Sequence, residues 1–412
     1  MSIPKLDKQK RQVIILYIAT LGGTLLGVLS SIVNTRFLDA SDYGDVRYVQ
    51  NIINLVASLL LFGYFLSGSR LLALSNDKLY SRRVRGAMVT ILALCSVLLM
   101  GSCLFCFFTH LNSKSVVAYL FLVSIPVCLN PLLGNYINTT AQGDNHIGRL
   151  SLSRFLPMLI YIPIAYYVFN RWGASSSNMI LLQWGCYTAI LLAIIISTKP
   201  SFKNLLPIFH ELNKENMNYG FQLYLGSLVM VATNYLAGVS LGLFNTDNSE
   251  VGFYTLALTV TTPLTMLPAT IGTTYFKEFA TMPKIPAKVM KYTIGITAIS
   301  CILFVLLIKP IVTLLYTERY AVVGSYASWL AVGFSIHGIG DMINRYLGSH
   351  GQGKSIRNSS IANGIFKIFG FTVLVYLMGT HGALFTNVIC STIYCAVLIF
   401  YYIRFISSHE KS

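Results

Sequence analysis

Charge is what this 412-residue chain has least of: 11% of its residues are charged and 55% are hydrophobic, against roughly 25% charged in a soluble domain. That shortage excludes an ordinary globular protein, because no compact core could hide so much apolar surface. Acids are scarcer still, 14 Asp and Glu against 30 Lys and Arg. Long polar connections are also missing, none exceeding about 20 residues, so no room remains for a soluble domain. Paired carboxylates, a serine triad and an HExxH helix are absent, and the chain reads as a non-enzyme. The eight Cys lie in or beside apolar runs, and the CxxC of Cys103 and Cys106 has no further ligands near it. Packing accounts for them; no metal and no cofactor are expected.

What the sequence does contain is apolar residues in runs of about 20, the length a helix needs to cross ~30 Å of hydrocarbon. Spans are expected near 12–35, 46–70, 86–109, 116–139, 152–170, 178–198, 219–243, 252–275, 290–314, 322–347, 359–379 and 381–406. The fold class is therefore all-α integral membrane, with about 12 transmembrane helices. The first run follows KLDKQKRQ but is too long for a signal-peptide core, so it reads as an uncleaved helix. With the N-terminus inside and each span reversing the side, 23 Lys and Arg fall inside and 6 outside, leaving Lys367 alone within a span. This bias places both termini in the cytoplasm. The net charge of +16 then sets topology and does not mark nucleic acid as a partner.

Two short motifs recur. SDYG at 41–44 returns as SEVG at 249–252, and AQG at 141–143 returns as GQG at 351–353. The offsets, 208 and 210 residues, are nearly equal, and each second motif is expected on the loop after the fourth span of its half. Arg47, Asn51, Asn54 and Ser58 draw a polar stripe down the second span; Thr255, Thr259, Thr262 and Met266 draw its counterpart on the eighth. The chain thus reads as two parallel-repeat six-helix lobes around a central cavity, residues 1–200 and 218–412. The segment 201–217 joins them as an amphipathic cytoplasmic linker, with Phe202, Leu205, Leu206, Phe209 and Leu212 on one face.

A charge within a span costs a few kcal/mol on the mildest scale, so each needs an explanation. Lys367 shares a polar face of the eleventh span with Ser360 and Asn363. Asp341 is the one acid well inside a span, with His337 a turn before it and Arg345 a turn after. The structural reading pairs Asp341 with Arg345 or with Lys367. The functional reading makes Lys367 a cavity cation for an anionic substrate and Asp341, with His337, an ion-coupling site. Arg47 and Arg154, near span ends, are further cavity candidates that snorkelling would also explain. Asn130, Asn135 and Asn138 of the fourth span suit helix packing equally well. The stretch GSHGQGKS at 348–355 has the spacing of a nucleotide-binding loop, but it follows a transmembrane helix, and the only acid after Lys354 is Glu410.

The stretch NTRFLDASDYGDVRYVQNIINLVASLLLFG resembles the early region of polysaccharide-export flippases of the multidrug/oligosaccharidyl-lipid/polysaccharide (MOP) superfamily. LFNTDNSEVGFYTLALTVTTPLTMLP is similar to the start of that family's second half, and QGDNHIGRLSLSRFLP to its loop between the fourth and fifth helices. The resemblance implies two six-helix lobes in a V, as in Wzx-type O-antigen flippases. It also implies a bacterial inner-membrane protein of lipopolysaccharide biosynthesis. Its partners would be a lipid-linked oligosaccharide, the lipid bilayer and other glycan-assembly membrane proteins. Drug-exporting relatives carry an acid in the first helix, and residues 12–35 contain none. Lipid II flippases usually have more spans than are counted here. Both departures favour the O-antigen type over a cation-coupled multidrug exporter. A glycan polymerase would need a long outer loop, which the sequence does not offer.

Overall fold

The computed structural model describes residues 8–144 and 146–409; of the inner cations counted above, Lys5 and Lys411 lie outside the described residues. Among the described residues the chain is helical throughout, without strands. The helices are α1 (Lys8–Phe37), α2 (Ala40–Leu59), α3 (Tyr64–Leu74), α4 (Lys78–His110), α5 (Ser115–Ser124), α6 (Asn130–Gly143), α7 (Ile147–Trp172), α8 (Ser176–Ser197) and α9 (Leu205–Glu215). There follow α10 (Phe221–Phe244), α11 (Ser249–Thr261), α12 (Pro263–Thr274), α13 (Phe276–Phe279), α14 (Ala287–Tyr316), α15 (Val322–Ser349), α16 (Gly353–Phe369), α17 (Val375–Met378) and α18 (Thr380–His409). Nine helical lengths among the described residues are long and apolar enough to cross a membrane, or as many as 11 with two bent pairs counted as spans. Helix α1 covers the expected first span. This is an integral membrane protein.

Two of the expected spans are broken. The second is α2 and α3, bent by 60°, where Phe62 and Gly63 take positive φ angles of 46° and 81°. Glycine suits position 63 twice over, since a Cβ there would also overlap the Gly220 carbonyl. A break frees carbonyls that hydrocarbon cannot solvate. Here the Tyr224 hydroxyl donates to the Leu59 carbonyl at 2.8 Å, and Asn216 Nδ2 to the Phe62 carbonyl at 3.0 Å. The fourth span is α5 and α6, bent by 40°, where Pro126 and Pro131 remove amide donors. The 201–217 segment forms α9, which continues through a π-helical turn, Asn216–Gly220, into α10 as one 40-residue length. Ile208 and Leu212 are buried, while Phe202 and Leu206 are exposed.

By contacts the chain forms two compact units: Met1–Leu38 with Val49–Leu228, and Asp39–Tyr48 with Val229–Ser412. Helices α2 and α10 each contribute to both. In the first unit α1 lies against α7, with Gly22 beneath the Phe155 ring and Gly23 at the Arg154 carbonyl. A buried hydrogen bond from the Tyr161 hydroxyl to Asn34 Oδ1, 2.5 Å long, fixes their register. In the second unit α15 is central, packed by α11, α12, α14 and α18. Its buried end, Met342, Ile343, Tyr346 and Leu347, forms a core with Phe279, Tyr394 and Leu398.

The recurring motifs meet in the second unit. Ser41–Gly44 and Ser249–Gly252 lie in the first turns of α2 and α11. A Cβ on Gly252 would sit 3.2 Å from the Gly44 Cα, and one on Gly44 would overlap the Asn248 carbonyl oxygen. Asn248 Nδ2 donates to Asp45 Oδ1 at 2.6 Å across the same contact. Asp42 and Glu250 each sit in a first helical turn, where the exposed amides favour an acid. Glu250 also accepts from the Tyr326 hydroxyl at 2.9 Å and from Thr380 Oγ1 at 2.5 Å. The second motif pair differs from expectation. Ala141–Gly143 end α6, whereas Gly351 makes a positive-φ turn before α16.

Candidate functional site

Helices α15, α16 and α18 bring together part of the polar set expected from sequence. Lys367 lies near the middle of the length Gly353–Met378 and is half-buried. A π-helical turn, Gly370–Leu374, follows it and opens where Gly370 packs on the Thr386 side chain of α18. Such bulges are frequent at functional sites. Among the described residues Lys367 pairs with no carboxylate. Its electrostatic neighbours are Cys390 of α18 and His337 of α15. One turn before it Asn363 is buried, and its side-chain oxygen has no hydrogen-bond partner among the described residues. An unsatisfied buried amide oxygen is uncommon and marks a place for water or ligand.

On α15, the His337 ring stacks on Tyr394 with centroids 4.5 Å apart and planes at 20°. Its Nε2 lies 4.0 Å from Asp341 Oδ1. The Tyr394 hydroxyl donates to Asp341 Oδ1 at 3.1 Å and accepts from Asn344 Nδ2 at 2.7 Å. The expected pairing of Asp341 with Arg345 or Lys367 therefore needs correction: neither ion pair forms among the described residues. Arg345 is exposed. An exposed i,i+4 pair is worth only about 0.3–0.5 kcal/mol, whereas a hydroxyl donating to a carboxylate makes a charge-assisted bond.

The remaining candidates are held elsewhere. Thr259 Oγ1 and Thr262 Oγ1 donate to the Thr255 and Leu258 carbonyls of α11. Asn54 and Ser58 likewise donate within α2, to the Gln50 and Leu55 carbonyls. These side chains thus spend their donors on their own helices. Asn51 is half-buried. Arg47 lies over the Tyr43 ring, 4.8 Å from its centroid, and counts with the second unit. Arg154, in the first unit, donates to Thr20 Oγ1 at 2.9 Å and Asn138 Oδ1 at 3.1 Å, tying α1, α6 and α7 together. Packing explains Arg154 better than a cavity role does.

Sequence reasoning missed Tyr394, Asn344 and Cys390. Asn344 stands three residues after Asp341 and is legible on the same helix face. Tyr394 and Cys390 carry no sequence signal, because the pairing of α15 and α16 with α18 is a tertiary fact. A second buried pair, Asn387 Nδ2 to the Tyr254 hydroxyl at 2.5 Å, joins α18 to α11.

Residues 10–276 match the family model described as polysaccharide biosynthesis protein. No curated protein sequence matches the chain. Among solved structures it is similar to the lipid II flippase MurJ in an inward closed conformation, with TM-score 0.76 and 14% identity over 95% of this chain and 89% of that one. It is also similar to an inward-facing multidrug resistance MATE family transporter, with TM-score 0.62 and 17% identity over 97% and 99%. A MOP superfamily transporter from Pyrococcus furiosus gives TM-score 0.61 and 16% identity over 98% and 97%. These structures are of transporters and flippases rather than enzymes, and at such identities the likeness is one of fold. With the family model matching most of its length, the chain belongs to the polysaccharide biosynthesis protein family and carries the membrane fold of the MOP superfamily.

Proposed function

We propose that this protein moves a polyprenyl-diphosphate-linked oligosaccharide repeat unit, of the O-antigen type, from the cytoplasmic to the periplasmic leaflet of the bacterial inner membrane. Two six-helix lobes, residues 1–200 and 218–412, alternate access to the substrate, and both termini lie in the cytoplasm. The observation that carries this reading is Lys367, a cation midway along its span without a carboxylate partner among the described residues. A cation left unneutralised there suits an anionic cargo and repels a cationic one. A glycan head cannot cross hydrocarbon unaided, since each unpaired hydroxyl costs roughly 2–7 kcal/mol and the diphosphate more. An inside-negative potential drives the anionic head outward by about 2.3 kcal/mol per charge per 100 mV.

The test is a flipping assay in proteoliposomes. A polyprenyl-diphosphate oligosaccharide starts in one leaflet, and a membrane-impermeant sugar-modifying probe scores its arrival in the other. Protein-dependent exposure is expected, faster with the potential applied. No flipping over a panel of such glycans, with and without a potential, would overturn the reading.

Asp341 favours a second reading, a cation-coupled multidrug exporter. Its carboxylate is half-exposed and bonded to a tyrosine hydroxyl rather than neutralised by Arg or Lys, which suits a proton or sodium carrier. In a coupled transporter, Asp341→Asn abolishes transport while the amount of folded protein is unchanged. Full transport by Asp341→Asn removes this residue from the mechanism.

A further inference from the structure

The first unit holds a cavity that the proposed transport path does not use. Its volume is about 540 Å³, inside the usual range for small-molecule sites. Lys78, Arg82, Arg85, Arg149 and Lys199 line it, with Asp144 as the one lining carboxylate among the described residues. That carboxylate is already engaged: Arg85 Nε and Nη2 donate to it at 3.0 and 2.8 Å, in a pair whose side chains are 13% and 9% exposed. Arg82 Nε donates to the Lys199 carbonyl at 2.8 Å and Arg85 Nη1 to the Thr198 carbonyl at 3.4 Å, so both guanidinium groups brace the end of α8. Lys78, Arg149 and Lys199 form no ion pair among the described residues.

From this geometry we infer that the cavity is a binding site for a phosphate-bearing anion, at the cytoplasmic end of the first unit. Five cations around one engaged carboxylate repel one another, and a bound phosphate relieves that repulsion. Fixed guanidinium groups suit phosphate because their donors match its oxygens in pairs. The start of α7 lies at the site, and His146 precedes it without a side-chain cap. Burial, with the Arg149 charge beside it, lowers the pKa of His146 below its ordinary value. Random cytoplasmic cations would spread over the surface. These converge on a concavity that the part-buried Arg85–Asp144 pair also lines.

The phosphate could belong to a lipid headgroup or to a soluble molecule, and two arms of one experiment separate them. In the first, the protein in phosphatidylcholine nanodiscs is titrated with inorganic pyrophosphate by calorimetry. In the second, native mass spectrometry counts phosphatidylglycerol retained from mixed nanodiscs. Each arm compares wild type with Arg149→Gln/Lys199→Gln and with Lys203→Gln/Lys214→Gln, which removes two cations outside the cavity lining. The expected result is at least tenfold weaker binding for the first double variant alone, in one arm or both. The arm affected identifies the source. Lys78→Gln, at an exposed side chain, replaces the double variant if that is not recovered folded. Equal binding by wild type and the cavity variants in both arms overturns the site. So does equal weakening by the Lys203 and Lys214 control, which would show general charge attraction only.

Discussion

Gly44→Leu is expected to remove folded protein from the membrane fraction almost completely, and Gly44→Ala to lower its melting temperature sharply. The reason is steric. The backbone carbonyl of Asn248 occupies the space a Cβ would need, and the Ser249 amide nitrogen stands 3.1 Å from it. Inserting one methylene into a packed core usually costs about 1–3 kcal/mol, because side chains move to accept it. Here the obstruction is backbone at the start of α11, so relief requires shifting a helix. Asn248 would also lose its hydrogen bond to Asp45, and the neighbouring Glu250 contacts with Tyr326 and Thr380 would be strained. Ser41→Ala, in the same turn, serves as the control and should behave as wild type. The measurement is recovery and melting of detergent-extracted protein. Wild-type recovery and melting for Gly44→Leu would mean that the contact between the two repeated turns is not needed.

Lys367 carries the second large effect, on transport rather than folding. Lys367→Ala should slow flipping of the diphosphate substrate at least tenfold, about 1.4 kcal/mol in transition-state terms. Lys367→Glu should abolish it, because a carboxylate then repels the anionic head. Lys367→Arg, which keeps the charge, should retain most activity. Replacing a half-buried, unpaired cation with alanine removes an uncompensated charge, so the melting temperature should hold or rise. That combination, lost transport with undiminished stability, distinguishes a substrate contact from a structural one. Flipping by Lys367→Glu at the wild-type rate would exclude the charge from the path.

Much of the fold was legible because a membrane imposes one-dimensional rules. Apolar runs of about 20 residues give spans. The bends escaped that reading. LFGYF at 61–65 is apolar throughout, and only the positive φ of Phe62 and Gly63 shows that the span breaks there. The candidate site was legible in part. Lys367, Asp341 and His337 stood out because ionisable groups are rare in spans. Their partners did not, since Tyr394 and Cys390 are ordinary residues of an apolar run. Arg154 stood out in the same way, but its partners Thr20 and Asn138, on other helices, did not.

The sequence by itself determined that the chain is helical and spans a membrane. Composition and spacing suffice for those properties, because each depends on residues close together in the chain. Tertiary structure alone decided that the two repeated glycine turns touch, that Asp341 binds a tyrosine instead of an arginine, and that five cations converge on one cavity. Each of these rests on which helices lie side by side. A span's hydrophobicity leaves that open, because every neighbour, lipid or helix, satisfies an apolar face almost equally well.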